Sequence, residues 1–249
     1  MTAPFDESKD RGKVKRLETA FLTLAADPKI YRSFPSIAKA ADTLTQAKAN
    51  DREDEIETRL LELYCELHHA GSEYQRSERI VLDNKDGYFN HPGGISPLLK
   101  AEKYIGPESH VADLGAGNGL QGLLFQFLYP HKVTIQVELS SEMINVGKIF
   151  QRILGISEEN VVWINDDIMN VSLEEVDFLY LYRPSKPTRS GVKLYESLVD
   201  KLSTRKRSIT IFSIADCLRD FLDKSFVEFY SDGHLTCFEK RIPRLQTSV

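Results

Sequence analysis

Hydrophobic and polar positions divide the chain into two textures. Up to about residue 87, apolar residues recur every three or four positions: Val14, Leu17, Phe21 and Leu24, then Ile37, Ala40, Ala41, Leu44 and Ala47, then Ile56, Leu60, Leu63, Tyr64 and Leu67. That period lays one apolar stripe along each of three helices. The first stops at Asp27-Pro28, where proline removes a backbone donor. Asn50-Asp51-Arg52-Glu53 has the spacing of a capping box for the third, and Gly71 supplies its C-terminal stop.

From Ser96 the period alternates between two and 3.6. Ser96-Pro97 reads as a helix start. After it come HVADL as a strand, LQGLLFQFLY as a helix, KVTIQVEL as a strand and SEMINVGKIFQRILG as a helix closed by Gly155. VVWIND and VDFLYLY follow as strands, GVKLYESLVDKL as a helix and SITIFSIA as a strand. Strands separated by helical crossovers predict an α/β fold with a doubly wound, mostly parallel sheet. SFVEFY and HLTCFEKR, joined by SDG, read as an antiparallel hairpin that completes seven strands. The expected organisation is a helical region over 1–95, linker included, and an α/β domain over 96–249.

Composition narrows the class without choosing a function. With 249 residues, 41% hydrophobic and 28% charged, and a net charge of −5, the chain has globular composition. No apolar run approaches the roughly 18–20 residues that cross a bilayer. The opening MTAPFDESKDRGKVKR lacks the apolar stretch of a secretory signal. Cys65, Cys217 and Cys237 form no C-x-x-C, so reduced thiols in a cytoplasmic protein are expected, with no metal. Mild acidity argues against wholesale coating of nucleic-acid phosphate but leaves room for a local basic patch.

Candidate chemistry concentrates in HVADLGAGNGLQG, His110 to Gly122. Gly117, Gly119 and Gly122 satisfy G-x-G-x-x-G, the turn that presents amides to a pyrophosphate. Asp113, Gly115, Gly117 and Gly119 instead give D-x-G-x-G-x-G. A carboxylate beneath a diphosphate is repelled by about 1–4 kcal/mol at about 4 Å, depending on the local dielectric. The same carboxylate attracts a ligand that carries an ammonium group.

The stretch VADLGAGNG resembles the first motif of class I (seven-β-strand, Rossmann-like) S-adenosylmethionine (SAM)-dependent methyltransferases. The resemblance covers roughly residues 96 to 241. It implies that Asp113, Gly115, Ala116, Gly117 and Gly119 shape the cofactor loop. It implies further that Glu138, followed by Leu139, accepts hydrogen bonds from the ribose. Asp167 would stand near the adenine amino group and Ile168 against the ring, although Asp166 occupies the place of a family glycine. SAM is the expected cofactor and S-adenosylhomocysteine (SAH) the product.

The family lines its transfer site at the end of the fourth strand, here Tyr182-Arg183-Pro184. Members that methylate nucleobase amino groups carry [D/N]-P-P-[Y/W] there, and YRPS departs from it, which disfavours nucleic acid. Tyr182 is expected to orient an acceptor and Arg183 to suit an acidic one. In DGYFNHPGGISP, Tyr88 or Phe89 would cover the sulfonium through a cation–π contact and His91 would act as a base. The first expectation is N- or O-methylation of a small molecule under the helical region. The alternatives are protein-lysine methylation and a non-catalytic binding protein; no membrane is implied and oligomeric state stays open. A closed cavity beside Tyr182 would support a small molecule, an open groove a macromolecule and a basic rim nucleic acid. Glu66-Leu67-His68-His69 reads as a solvated helix end, and STRKRS as a soluble turn.

Overall fold

The computed structural model describes residues 7–71, 73–88 and 91–241. Helices α1 (Glu7–Ala26), α2 (Pro28–Ser33), α3 (Pro35–Ala49), α4 (Glu53–His69) and α5 (Arg76–Asn84) precede α6 (Ser96–Lys100). Then β1 (His110–Leu114), α7 (Leu120–Leu128), β2 (Val133–Glu138), α8 (Ser141–Ile153), β3 (Val161–Asn165) and β4 (Phe178–Tyr182) alternate. The chain continues through α9 (Ser190–Thr204) and β5 (Ile209–Ile214) to β6 (Phe226–Ser231) and β7 (Leu235–Lys240).

The strands form one sheet in the order β3-β2-β1-β4-β5-β7-β6. Every pair is parallel except β5–β7 and β6–β7, so the expected terminal hairpin is present. The order runs outward from β1 in one direction and from β4 in the other. Loops leaving the carboxyl ends of these two strands therefore part, and the crevice between them is where sheets of this kind take ligands.

Alternation along the strands assigns each face a different layer. Ala112, Leu114, Leu179, Leu181 and Ile211 face one core with Leu194, Tyr195, Leu198 and Leu202 of α9. Val111, Phe178 and Phe212 face a second core, continuous with Leu17, Phe21, Leu44, Leu60, Leu63 and Leu67 of the N-terminal helices. Helix α7 lies between them with Leu120, Leu123, Leu124, Phe125 and Leu128 all buried. An amphipathic helix would leave one side wet; this one is buried around its girth, Gln121 and Gln126 included, because a third layer covers it. Arg16 of α1 fixes that layer by donating to the carbonyls of Leu128 (3.1 Å) and Phe127 (2.6 Å) at the α7 C-terminus.

Three local readings of the sequence change. Asn50 does not cap α4: Asp51 adopts φ 55°, and Arg52 precedes the helix without a side-chain cap. The capping box belongs instead to α5, where Gln75 and Glu78 exchange side-chain and backbone bonds. Ser96 lies inside α6 and not at its cap. Helix α5, which has no buried residue to create an apolar stripe, has no counterpart in the sequence reading. Among the described residues no helix is long and apolar enough to cross a membrane.

Candidate functional site

The glycine turn after β1 is held from within. Gly115 and Ala116 both donate to the Val137 carbonyl at 2.9 Å, and Gly119 donates to Ala116 at 2.8 Å. Gly117 donates to Glu138 Oε2 at 2.8 Å, and Leu120 to Asn118 Oδ1 at 3.2 Å. Consecutive amides that would cradle a diphosphate already have acceptors. What the turn presents to the crevice is carboxylate.

Asp113 is 2% exposed and accepts one bond, from the Gly122 amide at 3.2 Å. Burial, followed by the Gly122 amide acting in the opposite direction, leaves its carboxyl pushed up to about 7. Glu138 is buried as well, with Oε1 accepting from the Ser140 amide at 2.9 Å and Oε2 held by Gly117. Burial raises its pKa while those amides oppose the rise. It is a fixed carboxylate with lone pairs left over, not a solvated strand end.

Both carboxylates line one cavity of about 310 Å³. Gly115, Ala116 and Gly117 form the wall beside Asp113, with Leu139, Asp167 and Ile168 beyond Glu138. Tyr182, Arg183, Tyr88 and His91 line it as well. Gly119 is absent from the wall: it stands behind the turn with φ 69°, where an added Cβ would sit 2.4 Å from Trp163. Phe89 lies outside the described residues. Asp166 and Asp167 are both on the wall. Asp167 Oδ1 caps the short helical turn at Met169 (3.1 Å), while Oδ2 pairs with Lys85.

Several cavity residues were not legible in the sequence. Register places Asp113 beside Tyr180 on β4, with both side chains on the face turned to the N-terminal helices. Tyr64 of α4 donates to Gln121 Oε1 at 2.8 Å, which fixes that amide with Nε2 still to be satisfied. Gln121 Nε2 and Tyr180 Oη are buried without a partner among the described residues. An unpaired buried polar atom costs about 1–3 kcal/mol, so two donors beside one carboxylate are suited to a ligand that brings both charges. An α-amino acid tail has that form: ammonium for Asp113, carboxylate for the two donors. His68, read as part of a solvated helix end, is instead 6% exposed on the cavity wall, and burial lowers its pKa to about 3.

Two connections fasten the helical region to this site. Asn118 Nδ2 lies 2.8, 3.1 and 3.0 Å from the carbonyls of Leu67, His68 and Ala70 at the end of α4. Replacing Asn118 with Ala removes the donor these carbonyls share, and urea unfolding is expected to show a loss of about 1–3 kcal/mol. The second connection is the segment after α5. Tyr88 donates to the Pro184 carbonyl (3.1 Å), Lys186 to Asp86 (2.8 Å) and Ser185 Oγ to Lys85 (2.6 Å). This segment closes the cavity from above, against the loop after β4.

The STRKRS run is structural. Arg205 is buried and donates to the carbonyls of Leu173 and Val176, while Arg207 pairs with Glu175 and with Asp177 (2.9 Å). Both lie near the start of β5, at the opposite end of the sheet from the cavity.

No family model and no curated protein sequence matches the chain. Solved structures do resemble it. TrmN from Thermus thermophilus is 16% identical with a TM-score of 0.47, over 59% of this chain and 48% of TrmN, so the likeness spans about half of that protein. An RNA methyltransferase from Salinibacter ruber, in complex with SAH, is 14% identical with a TM-score of 0.45, over 60% of this chain and 93% of its own. An rRNA methylase from Streptococcus thermophilus is 19% identical with a TM-score of 0.43, over 55% of this chain and 90% of its own. Likeness at this level is likeness of fold. The expectation that nucleic acid is an unlikely partner is corrected to this extent: two of these three structures are named for RNA methylation.

Proposed function

We propose that this chain, which has the seven-stranded fold of class I SAM-dependent methyltransferases, binds SAM in the cavity between β1 and β4 and transfers its methyl group. The observation that carries this reading is the pairing of a buried Asp113 with a glycine turn in which the amides of Gly115, Ala116, Gly117 and Gly119 are already engaged. Such a turn repels a diphosphate and attracts a cationic tail. In this reading Asp113 takes the ammonium, Gln121 and Tyr180 the carboxylate, Glu138 the ribose, and Asp167 with Ile168 the adenine. When bound, SAM supplies a methyl group on a sulfonium, activated towards nucleophiles.

The contribution required of the chain is position. Holding an acceptor in line with the scissile bond is worth up to about 7–11 kcal/mol, and no catalytic dyad is needed for it. Tyr182, half-buried at the end of β4, and His91, 6.2 Å from it between ring centroids, stand on the acceptor side. Burial raises the Tyr182 pKa, so its hydroxyl stays protonated at neutral pH and acts as an orienting donor. His91 is the group placed to accept a proton from an acceptor that arrives protonated.

Isothermal titration tests the reading directly: SAH is expected to bind and NAD not to. The reverse result would remove the methyltransferase assignment. Affinity should also depend on pH. The free protein holds a proton on Asp113 below about 7 and must release it to meet an ammonium group. SAH affinity is therefore expected to rise with pH and level off above 7, changing by up to about tenfold per unit below it. A flat profile from pH 5.5 to 8.5 would mean that Asp113 does not meet the cationic end.

A further inference from the structure

We propose that the methyl acceptor is a nucleotide within a nucleic-acid strand, its base received by the rings of Tyr88, His91, Tyr182 and His234 and its phosphates by Arg183, Lys186 and Arg189. This rests on the reading of the cavity as a SAM site and adds what that site acts upon. Tyr88, His91, Tyr182 and Arg183 line the cavity where the segment after α5 crosses the loop after β4; His234 adjoins Tyr182, Lys186 adjoins Tyr88, and Arg189 ends the same loop.

The first argument is space. A cavity of about 310 Å³ is at the small end of the range for a single bound ligand, about 300–1,000 Å³. The cofactor fills it, so the acceptor is presented from outside and only its reacting part reaches Tyr182. The second is the row of rings. Centroids of Tyr88 and His91 are 6.4 Å apart, those of His91 and Tyr182 6.2 Å, and those of Tyr182 and His234 6.2 Å. Interplanar angles of 60°, 43° and 86° show that none of these rings is stacked flat on its neighbour. Tyr88 and Tyr182 are half-buried, whereas His91 and His234 are exposed. Flat faces in a row suit planar bases, and base–aromatic stacking tolerates any sequence.

Charge supplies the third argument. The loop RPSKPTR, from Arg183 to Arg189, holds three cations and no acidic residue. None of the three forms an ion pair among the described residues, whereas Lys85 pairs with Asp167 and Arg219 with Asp216 and Glu228. Arg183 and Lys186 lie 5.3 and 5.8 Å from the centre of the Tyr88 ring, which brings positive charge to the edge of the ring row. The backbone is held in an unfavourable form to achieve this, with φ 23° at Arg183 and 43° at Arg189. Positive φ at arginines that form no ion pair among the described residues is strain of the kind found at binding sites. An acidic peptide would use the cations and leave the rings idle. A nucleotide uses both.

The test combines two titrations on the whole chain. SAH binding by calorimetry reports on the cavity, and fluorescence anisotropy of a labelled 12-nucleotide single-stranded RNA reports on the mouth. The wild type is expected to bind both, and RNA affinity should fall with salt at a log–log slope of about −2, from three phosphate contacts at about −0.7 each. Lys186→Glu with Arg189→Glu should weaken RNA at least tenfold and leave SAH unchanged. Tyr88→Ala should weaken RNA about tenfold without altering the salt slope. If SAH fails to bind the wild type, the SAM reading falls first. If SAH binds but RNA does not, the present proposal alone falls. It also falls if the charge reversal leaves RNA affinity intact, if an abasic strand binds as tightly as the normal one, or if free AMP binds as tightly as the strand.

Discussion

Replacing Asp113 with Asn is expected to abolish useful SAH binding and, at pH 8, to make the ligand-free protein more stable. Both effects come from one buried carboxylate. Removing one partner of a buried, hydrogen-bonded charge pair costs about 2–5 kcal/mol, so affinity should fall roughly 30-fold to several thousandfold. 5′-Methylthioadenosine lacks the amino-acid tail, and its affinity should change little in the same variant. That contrast separates a lost ammonium contact from a collapsed cavity.

The stability gain follows from linkage. The native carboxyl holds its proton up to about pH 7, whereas an ordinary aspartate, as in the unfolded chain, titrates at 3.8. Between these values the native state binds more protons than the unfolded state, so stability falls as pH rises and levels off above 7. Asparagine removes that slope. At pH 8 the variant should be more stable by about 2–4 kcal/mol, or about 4–16 °C in Tm for a chain of this size. A variant that melts lower than wild type at pH 8 and still binds SAH would contradict both halves.

The strands around the site were legible because each is a short apolar run with a turn signal at its end. β1 coincides with HVADL, and β2, β3, β4 and β5 all begin within the runs read for them. Asp113 and Glu138 were legible because a carboxylate at a strand's carboxyl end is conspicuous among apolar neighbours. Gln121, Tyr180 and His68 were not. Each occupies an ordinary helix or strand position, and what singles it out is the element laid across it. Tyr180 becomes special through its register with Asp113, and Gln121 through a hydroxyl 57 residues earlier in the chain. Asn118 sits within the glycine motif, yet its side chain serves α4 and not the ligand. Helix α5 was missed for a related reason: it covers the cavity without burying a residue, so no stripe betrays it.

Gly119 shows how a motif position can be necessary without touching the ligand. The six-membered edge of Trp163 lies between the turn and α8: an added Cβ at Gly119 would meet it at 2.4 Å, and one at Gly147 at 2.2 Å. Trp163 is fixed there by its indole N–H, which donates to Gln151 Oε1 at 2.8 Å. Gly119→Ala adds left-handed strain of roughly 1 kcal/mol to overpacking of about 1–3 kcal/mol, so a loss near 3 kcal/mol is expected, together with weaker SAH binding as the turn shifts. Gly147→Ala carries no such backbone strain and gains about 1 kcal/mol of helix propensity. It nevertheless meets the Asn118 carbonyl at 2.5 Å, and backbone yields less readily than a ring. Trp163→Phe distinguishes the two: it should recover about 1–2 kcal/mol in the Gly119→Ala background through direct coupling, and little in the Gly147→Ala background. Urea unfolding of the two double-mutant cycles measures this. Equal recovery in both would mean that the indole is the sole obstacle, and that the Asn118 carbonyl, hence the turn itself, moves freely with α8.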